Sequence, residues 1–110
     1  MSPSAKSKPV LERDAVKVDS KHYKVELEND RVRVVRIKYA GKEKSVMHQH
    51  PPGVGIFLTD AHNKFSYPDG KTEEIRAKAG DVLWFGEVWE HNPENLSDSN
   101  LEVIYVELKS

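Results

Sequence analysis

The length of 110 residues suits one domain with a single core, and the composition excludes several classes of function. Lys and Arg number 17 against 18 Asp and Glu, giving a net charge of -1 with both signs interleaved along the chain. Nucleic-acid and anionic-membrane surfaces need clustered positive charge, so neither partner is expected. No apolar run approaches the roughly 18 residues that span a bilayer, and the N-terminus lacks the apolar segment of a signal peptide. These features predict a cytoplasmic location.

The chain contains no cysteine. Disulfide bonds, thiolate metal ligands and a cysteine nucleophile are therefore all excluded. Any metal ion bound by this chain must be held by histidine, carboxylate or water.

Residues 1–14 are predicted to be a flexible N-terminal tail, and residues 15–110 a single domain. The tail is rich in Ser, Lys and Pro and has too few apolar residues to order itself. The early apolar pair Val10 and Leu11 and a strand predicted around Val16 and Val18 have no obvious partner inside so small a domain. Because exposed sheet edges must be blunted or paired, we expect a homodimer that is built through this region.

The chain from Tyr23 onward reads as short strands separated by turns. Apolar and polar residues alternate in most of these segments, and turn residues recur every eight to twelve positions. The alternation slips by one residue between Val34 and Val35, and again between Val103 and Ile104, which suggests a β-bulge or a bent strand. Seven or eight strands without a convincing helix predict an all-β sandwich or barrel.

Three histidines are the candidate metal ligands. His48 and His50 point the same way from an extended strand, because side chains alternate faces. His91 ends a second segment that begins at Gly80. Three neutral imidazoles leave positions open for water or substrate on Zn or a first-row transition metal. A lone pair of histidines on a strand is more often a solvated edge, so the third residue matters. His22 and His62 are expected to be exposed.

Two motifs make the sequence resemble a single-domain cupin, a small double-stranded β-helix or jelly-roll barrel. The first motif is a Gly, a spacer, His-x-His and a later Gly. The second is Gly-Asp, a core strand and a His followed by an Asn. The matching residues are Gly41, His48, His50 and Gly70, then Gly80, Asp81, His91 and Asn95. The resemblance implies a divalent ion, Fe, Zn, Mn or Ni, at the three histidines.

The sequence departs from the cupin pattern at two places. The Glu that usually provides a fourth ligand falls near Val54, and the Pro-x-Gly turn reads Gly86-Glu87-Val88. A three-His site remains, of the sort found in some cupin dioxygenases. Glu87 and Glu90 flank His91 and are candidates for a fourth ligand or a general base, although Glu in a loop is usually exposed to solvent.

An apolar pocket wall is predicted near the missing Glu. Val54, Ile56 and Leu58 share a parity along their strand and are expected to line the pocket, with Phe57 on the other face. Trp84 and Trp89 are expected to line it as well.

Two functions remain open from the sequence. One is a small metalloenzyme that acts on an oxygen-rich organic acid or a keto/enol compound, by dioxygenase-like or Lewis-acid isomerase or lyase chemistry. The other is a non-catalytic cupin that binds a small molecule, with a structural or weakly occupied metal site. Because unperturbed histidine titrates near 6.5, metal affinity is expected to fall below about pH 6.

Overall fold

The computed structural model describes residues 11–109, and this part of the chain is nearly all β-structure. None of the helices there is long and apolar enough to cross a membrane. The all-β prediction is confirmed, with nine strands rather than seven or eight. In chain order the elements are α1 (Ala15–Val18), β1 (Tyr23–Glu28), β2 (Val32–Tyr39), β3 (His48–His50), β4 (Gly53–Phe57), β5 (Ala61–Ser66), β6 (Thr72–Ala77), β7 (Val82–Phe85), β8 (Trp89–Asn95) and β9 (Leu101–Leu108).

The strands form two sheets, and their pairings are antiparallel. The larger sheet has the order β1-β2-β9-β4-β7, and the smaller has the order β3-β8-β5-β6. Their inner faces enclose a core in a jelly-roll arrangement. Its buried apolar residues come mostly from the larger sheet and include Tyr23, Val35, Tyr39, Phe57 and Val103.

The chain joins the domain before residue 15. Residues 1–10 of the predicted tail lie outside the described residues. Arg13 and Gln49 exchange backbone and side-chain hydrogen bonds, and Asp14 accepts two hydrogen bonds from the Arg33 guanidinium. The domain therefore includes at least Arg13 and Asp14, which the predicted boundary assigned to the tail.

The predicted strand around Val16 and Val18 is wrong, because these residues form the one-turn helix α1. The amides of Lys17 and Val18 both donate to the carbonyl oxygen of Asp14, which closes the turn. Val16 packs against the core, while Val18 is 40% exposed. The helix places no strand edge here for a second subunit to extend.

A β-bulge lies in β1, beside the position in β2 where a slip between Val34 and Val35 was predicted. The pairing of β1 with β2 shifts between Val25 and Leu27, at the level of Val34 and Val35. Strand β2 itself pairs regularly with β9 along its whole length. The extra residue, Glu26, is therefore in β1, and the slip predicted within β2 is wrong.

Strand β9 shows no slip, contrary to the sequence pattern. Its inward side chains alternate without interruption, and the polar ones have partners. Tyr105 donates its hydroxyl to the carbonyl oxygen of Pro51 at 2.6 Å, and Glu107 accepts from Arg33. These bonds allow polar groups to occupy the inner face. The buried residues of β9 are Leu101, Val103, Tyr105 and Glu107.

Candidate metal centre

Pairing of β3 with β8 assembles the three histidines. His48 lies directly opposite His91, and His50 lies opposite Trp89. Alternation along each strand then points all three imidazoles to the interior. Their exposed fractions are 0%, 3% and 3% for His48, His50 and His91. The predicted ligands are therefore brought together in the barrel interior.

The distances between the rings fit a shared metal ion. One ligand nitrogen from each ring lies within 4.8 Å of the others, and His50 Nε2 is 3.1 Å from His91 Nε2. Two nitrogens that bind one ion at about 2.0–2.1 Å, with angles of about 90–110°, lie about 2.8–3.4 Å apart. His48 Nε2 is buried without a hydrogen-bond partner. Unpartnered buried donors and acceptors are costly, so the arrangement suits a ligand that takes their lone pairs.

Hydrogen bonds hold His48 in one tautomer. Its Nδ1–H donates to the carbonyl oxygen of Val46 at 2.8 Å, and Ser45 Oγ lies 3.1 Å from the same nitrogen. The Ser45 hydroxyl in turn donates to the Asp19 carboxylate. With its proton on Nδ1, His48 has the lone pair on Nε2, which is the atom that faces the cluster.

Burial keeps all three imidazoles neutral. Loss of solvation lowers the pKa of His48 to about 4. The pKa values of His50 and His91 lie well below the ordinary value of 6.5, first because of burial and second because of the neighbouring imidazoles. Neutral imidazole is the form that binds a metal. The sequence-based expectation of weak affinity below about pH 6 used an unperturbed pKa, whereas burial lowers the pKa of all three rings.

Aromatic rings enclose the histidines. Trp89 and Phe65 lie 4.2 and 4.3 Å from the His91 ring, and Tyr23 meets His48 edge-on at 4.8 Å. The Trp89 indole N–H donates to the Tyr105 hydroxyl at 3.1 Å, which fixes both rings beside His50. Burial raises the pKa of Tyr105 to about 12, so its phenol stays protonated. The surroundings are therefore apolar and short of water.

A cavity of about 550 Å³, including its open mouth, lies between the two sheets and is lined by His50 and His91 but not by His48. Both sheets contribute to it, with Tyr23, Phe57 and Tyr105 from the larger and Phe65, Trp89 and His91 from the smaller. Small-molecule sites in proteins are concave and mostly apolar, with a few polar groups. The cavity has this character, and it adjoins the only cluster of potential metal ligands among residues 11–109.

Comparison with solved structures identifies the architecture. A cupin domain from Bordetella pertussis Tohama I superposes with a TM-score of 0.74 at 24% identity, covering 80% of this chain and 92% of that one. The chain has the cupin fold. A cupin-superfamily protein from Desulfitobacterium hafniense also matches, with a TM-score of 0.58 at 14% identity over 78% of this chain and 74% of that one. No family model matches the sequence, and no curated protein matches it.

A third cupin-fold neighbour is described as holding metal. Oxalate decarboxylase from Bacillus subtilis, described with Mn(II) centres, matches with a TM-score of 0.56 at 18% identity. The match covers 72% of this chain but 22% of that one. These likenesses show the fold that the resemblance predicted, and the three-His cluster accompanies it in this chain.

The glycines of the cupin motifs have physical reasons in this structure. Gly80 has φ of +93°, a left-handed conformation that favours glycine in the turn before β7. A Cβ on Gly41 would lie 2.3 Å from the carbonyl oxygen of Asp98, so that residue permits a close approach of two loops. The motif therefore specifies backbone geometry at these positions.

Four predicted pocket residues do not line the cavity, and this prediction is corrected. In β4 the buried, inward residues are Gly53, Gly55 and Phe57. A Cβ on Gly53 would lie 2.3 Å from the carbonyl oxygen of Val106, so β4 approaches β9 closely only with glycine there. With Gly53 against β9, the inner face of β4 carries Gly53, Gly55 and Phe57, and not the predicted alternate set that begins at Val54. The residues left on the outer side of the larger sheet are Val54, Ile56, Leu58 and Trp84, whereas Trp89 lines the cavity as predicted.

Neither candidate carboxylate joins the histidines. Glu90 lies opposite Gln49 on the outward side of β8, where it accepts a hydrogen bond from Arg13 at 2.8 Å. Glu87 is exposed to solvent. Both follow the ordinary behaviour of Glu, because a carboxylate inside this apolar wall would lose its solvation. The cluster among the described residues therefore consists of three imidazoles without a carboxylate.

Several lining residues escaped the sequence analysis. Asn63, Phe65 and Tyr105 all line the cavity. Phe65 and Tyr105 fall on strands whose patterns pointed to core packing or to a phase slip, and polar Asn63 had no periodic signal. If β9 had been interpreted as alternating without interruption, the sequence would have predicted that Tyr105 faces the cavity.

Proposed function

We propose that this cupin-fold protein binds one divalent ion, Fe, Zn, Mn or Ni, through His48, His50 and His91. The observation that carries the proposal is the cluster of three buried, neutral imidazoles beside an apolar cavity. Imidazole suits Zn, Fe and Ni well, and Mn prefers added oxygen ligands, which a bound molecule would supply. We further propose that the ion holds a small organic acid or keto/enol compound for turnover.

The residues of the chain prepare the site for this chemistry. A bound divalent ion would polarise a carbonyl oxygen or stabilise an enolate, and with iron it would support oxygen chemistry. Ser45 and the Val46 carbonyl orient His48, while the rings of Trp89 and Tyr105 pack against His50 and exclude water. Exclusion of water strengthens electrostatic interactions at the site and protects reactive species from hydrolysis.

Metal analysis and thermal melting test the metal site. Protein purified without a His tag is analysed for bound metals, then stripped and titrated with Fe²⁺, Zn²⁺, Mn²⁺ and Ni²⁺. An ion in hundredfold excess over its Kd stabilises the folded state by about 2.7 kcal/mol. For a domain of this size the melting temperature should rise by roughly 8–20 °C. Identical melting curves with all four ions would contradict the proposal.

A non-catalytic binding role is the second candidate function. It is favoured by the lack of any carboxylate within the metal cluster among residues 11–109. Oxygen uptake and product formation over a panel of keto acids and β-diketones separate the two roles. Turnover that the His48→Ala variant lacks supports the enzyme, whereas binding without turnover in the metal-loaded protein supports the second role.

We also propose a homodimer, formed through the outer face of the larger sheet. Paired residues at one level of all five strands are apolar and point outward together, because directly opposite side chains share a face. Two of them are strongly exposed, Leu27 at 52% and Trp84 at 64%. This outer apolar row consists of Leu27, Val34, Val106, Val54 and Trp84.

A second copy of the chain is the occupant that this face suits. Arg36 is the basic residue beside the row, and it is neutralised by ion pairs with Glu26 and Glu102. Two identical faces can therefore meet about a two-fold axis with little charge repulsion. Contiguous exposed apolar surface of this kind marks interaction sites on soluble proteins.

Analytical ultracentrifugation of matched surface variants tests the dimer. Trp84→Lys places a charge in the outer apolar row and should give a monomer. Val18→Lys charges the region that the sequence favoured and should leave a dimer. A wild-type monomer at tens of micromolar, or dissociation by Val18→Lys alone, would count against this interface.

A further inference from the structure

The cavity extends far beyond His50 and His91, the two histidines that line it. Along β8 the inward residues His91, Pro93 and Asn95 all line it, which is four residue steps or about 13 Å at the usual strand rise. Along β9 the lining runs over the same span, from Tyr105 to Leu101. A ligand held only at the metal end would leave the remote half of this space unfilled.

Asn63 lies at the remote end of the cavity with an unused hydrogen-bond acceptor. It pairs with Asn95 in the sheet, four residues along β8 from His91. Its exposed fraction is 4%, and its side-chain oxygen Oδ1 is buried without a donor. A buried unsatisfied acceptor is costly, and such groups in folded proteins usually have a partner.

The neighbouring asparagine has all its partners and cannot satisfy Asn63. Asn95 donates its amide to the carbonyl oxygens of Ala40 and Ser99, and its Oδ1 accepts from the backbone and hydroxyl of Ser97. Asn95 is therefore explained as a loop-fixing residue. Asn63 lines the same end of the cavity but has no such structural role.

The wall of the cavity is aromatic and carries little charge. Phe57, Phe65 and Phe85 line it, together with Trp89 and Tyr105 at the histidine end. Among residues 11–109 no lysine or arginine lines the cavity, and Glu94 is the single carboxylate that does. A second anionic group on a ligand would therefore be buried without a counter-charge, which is strongly unfavourable.

We propose that the cavity binds an elongated small molecule with three features. These are a metal-binding oxygen pair at the histidine end, an aromatic or similarly apolar middle, and a hydroxyl or amino group that donates to Asn63 Oδ1. Asn63 is then a specificity-determining residue of the site. The chelating end rests on the proposed function, whereas the donor at Asn63 rests on the cavity alone.

Hydroxamic acids that differ by one hydroxyl test this specificity in the Zn²⁺-loaded protein. Calorimetry compares benzohydroxamic acid with 4-hydroxybenzohydroxamic acid, whose hydroxyl lies at the far end of the ring. Satisfying a buried acceptor should make the hydroxylated probe bind about tenfold tighter. Oxalate, a compact dianion without the apolar middle, should bind more weakly than either probe.

Matched variants assign the preference to one side chain. Asn63→Leu should abolish the tenfold difference while the affinity for benzohydroxamic acid stays within about twofold. Asn92→Leu is the control, because Asn92 Oδ1 is also buried without a partner but does not line the cavity. The control should retain the preference. Equal affinities of the two probes in wild type, or equal loss of both in Asn63→Leu, would overturn the proposal.

A metal-free comparison separates failure of this inference from failure of the metal site. The fluorescence of the tryptophans reports binding of p-cresol and toluene to stripped protein, and neither probe needs an ion. A p-cresol preference that Asn63→Leu removes supports the donor site even if no metal binds. If Zn²⁺ does bind but neither probe pair shows a preference, the metal site stands and the role of Asn63 is wrong.

Discussion

His22 and the three clustered histidines are all buried, but they differ in what their ring nitrogens contact. His22 is 5% exposed, and its two nitrogens lie 2.8 Å from the Asp19 carboxylate and 3.1 Å from that of Glu43. Its ring also stacks on Tyr39 at a centroid distance of 4.0 Å. In the cluster, His48 Nε2 is buried without a partner, and the Nε2 atoms of His50 and His91 have only each other at 3.1 Å. His22, whose nitrogens contact carboxylates, supports the fold, whereas the clustered imidazoles form the candidate metal site.

This comparison corrects a prediction about His22. The sequence places it near the start of a strand, where exposure was expected, but α1 and the loop before β3 cover it. His62 fits the expectation better, since it lies at the surface and pairs with Glu74 at 2.8 Å. Position along a strand therefore did not reveal burial at His22, which depends on elements distant in sequence.

The largest expected difference is in metal affinity. Sites with four zinc ligands bind with about 10–16 kcal/mol, so loss of one ligand should cost about 3–4 kcal/mol. His48→Ala, His50→Ala and His91→Ala should each weaken metal binding at least a hundredfold. His22→Asn, the control, should bind metal nearly as tightly as wild type. Competition titrations with a chromophoric chelator measure the metal affinity of all four variants. Equal losses of affinity in all four would contradict the distinction between His22 and the clustered histidines.

The stability of the metal-free protein should fall as the pH drops from about 6.5 toward 4. The cluster has depressed pKa values, so the unfolded chain takes up protons in this window that the folded protein does not. With a pKa of about 4 in the folded state, His48 alone corresponds to about 3 kcal/mol of lost stability. Urea melts at several pH values measure this slope.

The double variant His50→Leu/His91→Leu is the control for that pH dependence. It removes two of the groups with depressed pKa values and should flatten the slope below pH 6.5. An unchanged slope in the double variant would assign the acid sensitivity to other groups.

Replacing His22 and replacing the pair His50 and His91 should change the stability of the metal-free fold in opposite directions. His22→Ala strips partners from two carboxylates and removes a stacked ring, so it should destabilise by about 2 kcal/mol. The double leucine variant replaces buried polar atoms that lack partners and should be neutral or stabilising at pH 7.5. Chemical denaturation measures both, and a larger loss in the double variant would reverse the assignment of roles.

The smallest expected effect is at Ser45. Ser45→Ala removes the group that connects the Asp19 carboxylate to His48 Nδ1, although the Val46 carbonyl still accepts from that nitrogen. Outer partners of metal ligands are worth about 10–100-fold in affinity, and the remaining bond places this variant near tenfold. Ser97→Ala is the control, because Ser97 lies in the loop after β8 and donates to Asn95 Oδ1 instead of contacting a histidine of the cluster. Unchanged affinity in Ser45→Ala would leave Val46 as the sole orienting group.

The sequence predicted the fold class and the three clustered histidines because both follow from local regularities. Alternation and turn residues indicate short strands wherever they lie, and His48 and His50 share a face in any extended strand. The positions of Gly80 and His91 relative to the first pair matched the cupin motifs. A pocket residue such as Asn63 could not be found this way, because its place in the cavity depends on segments distant in sequence.

Only the tertiary structure decided which face of each strand is inside. Alternation divides β4 and β9 into two sets of side chains, but it does not say which set faces the core when both contain apolar residues. Tyr105 and Glu107 face inward because Pro51 and Arg33 satisfy them, and Gly53 admits β9 at close range. The apolar outer row, the burial of His22 and the unsatisfied oxygen of Asn63 all follow from that choice. The sequence by itself determined most of the strands and the face that His48 and His50 share, since both depend on local spacing, and the motif resemblance added His91 as the third candidate ligand.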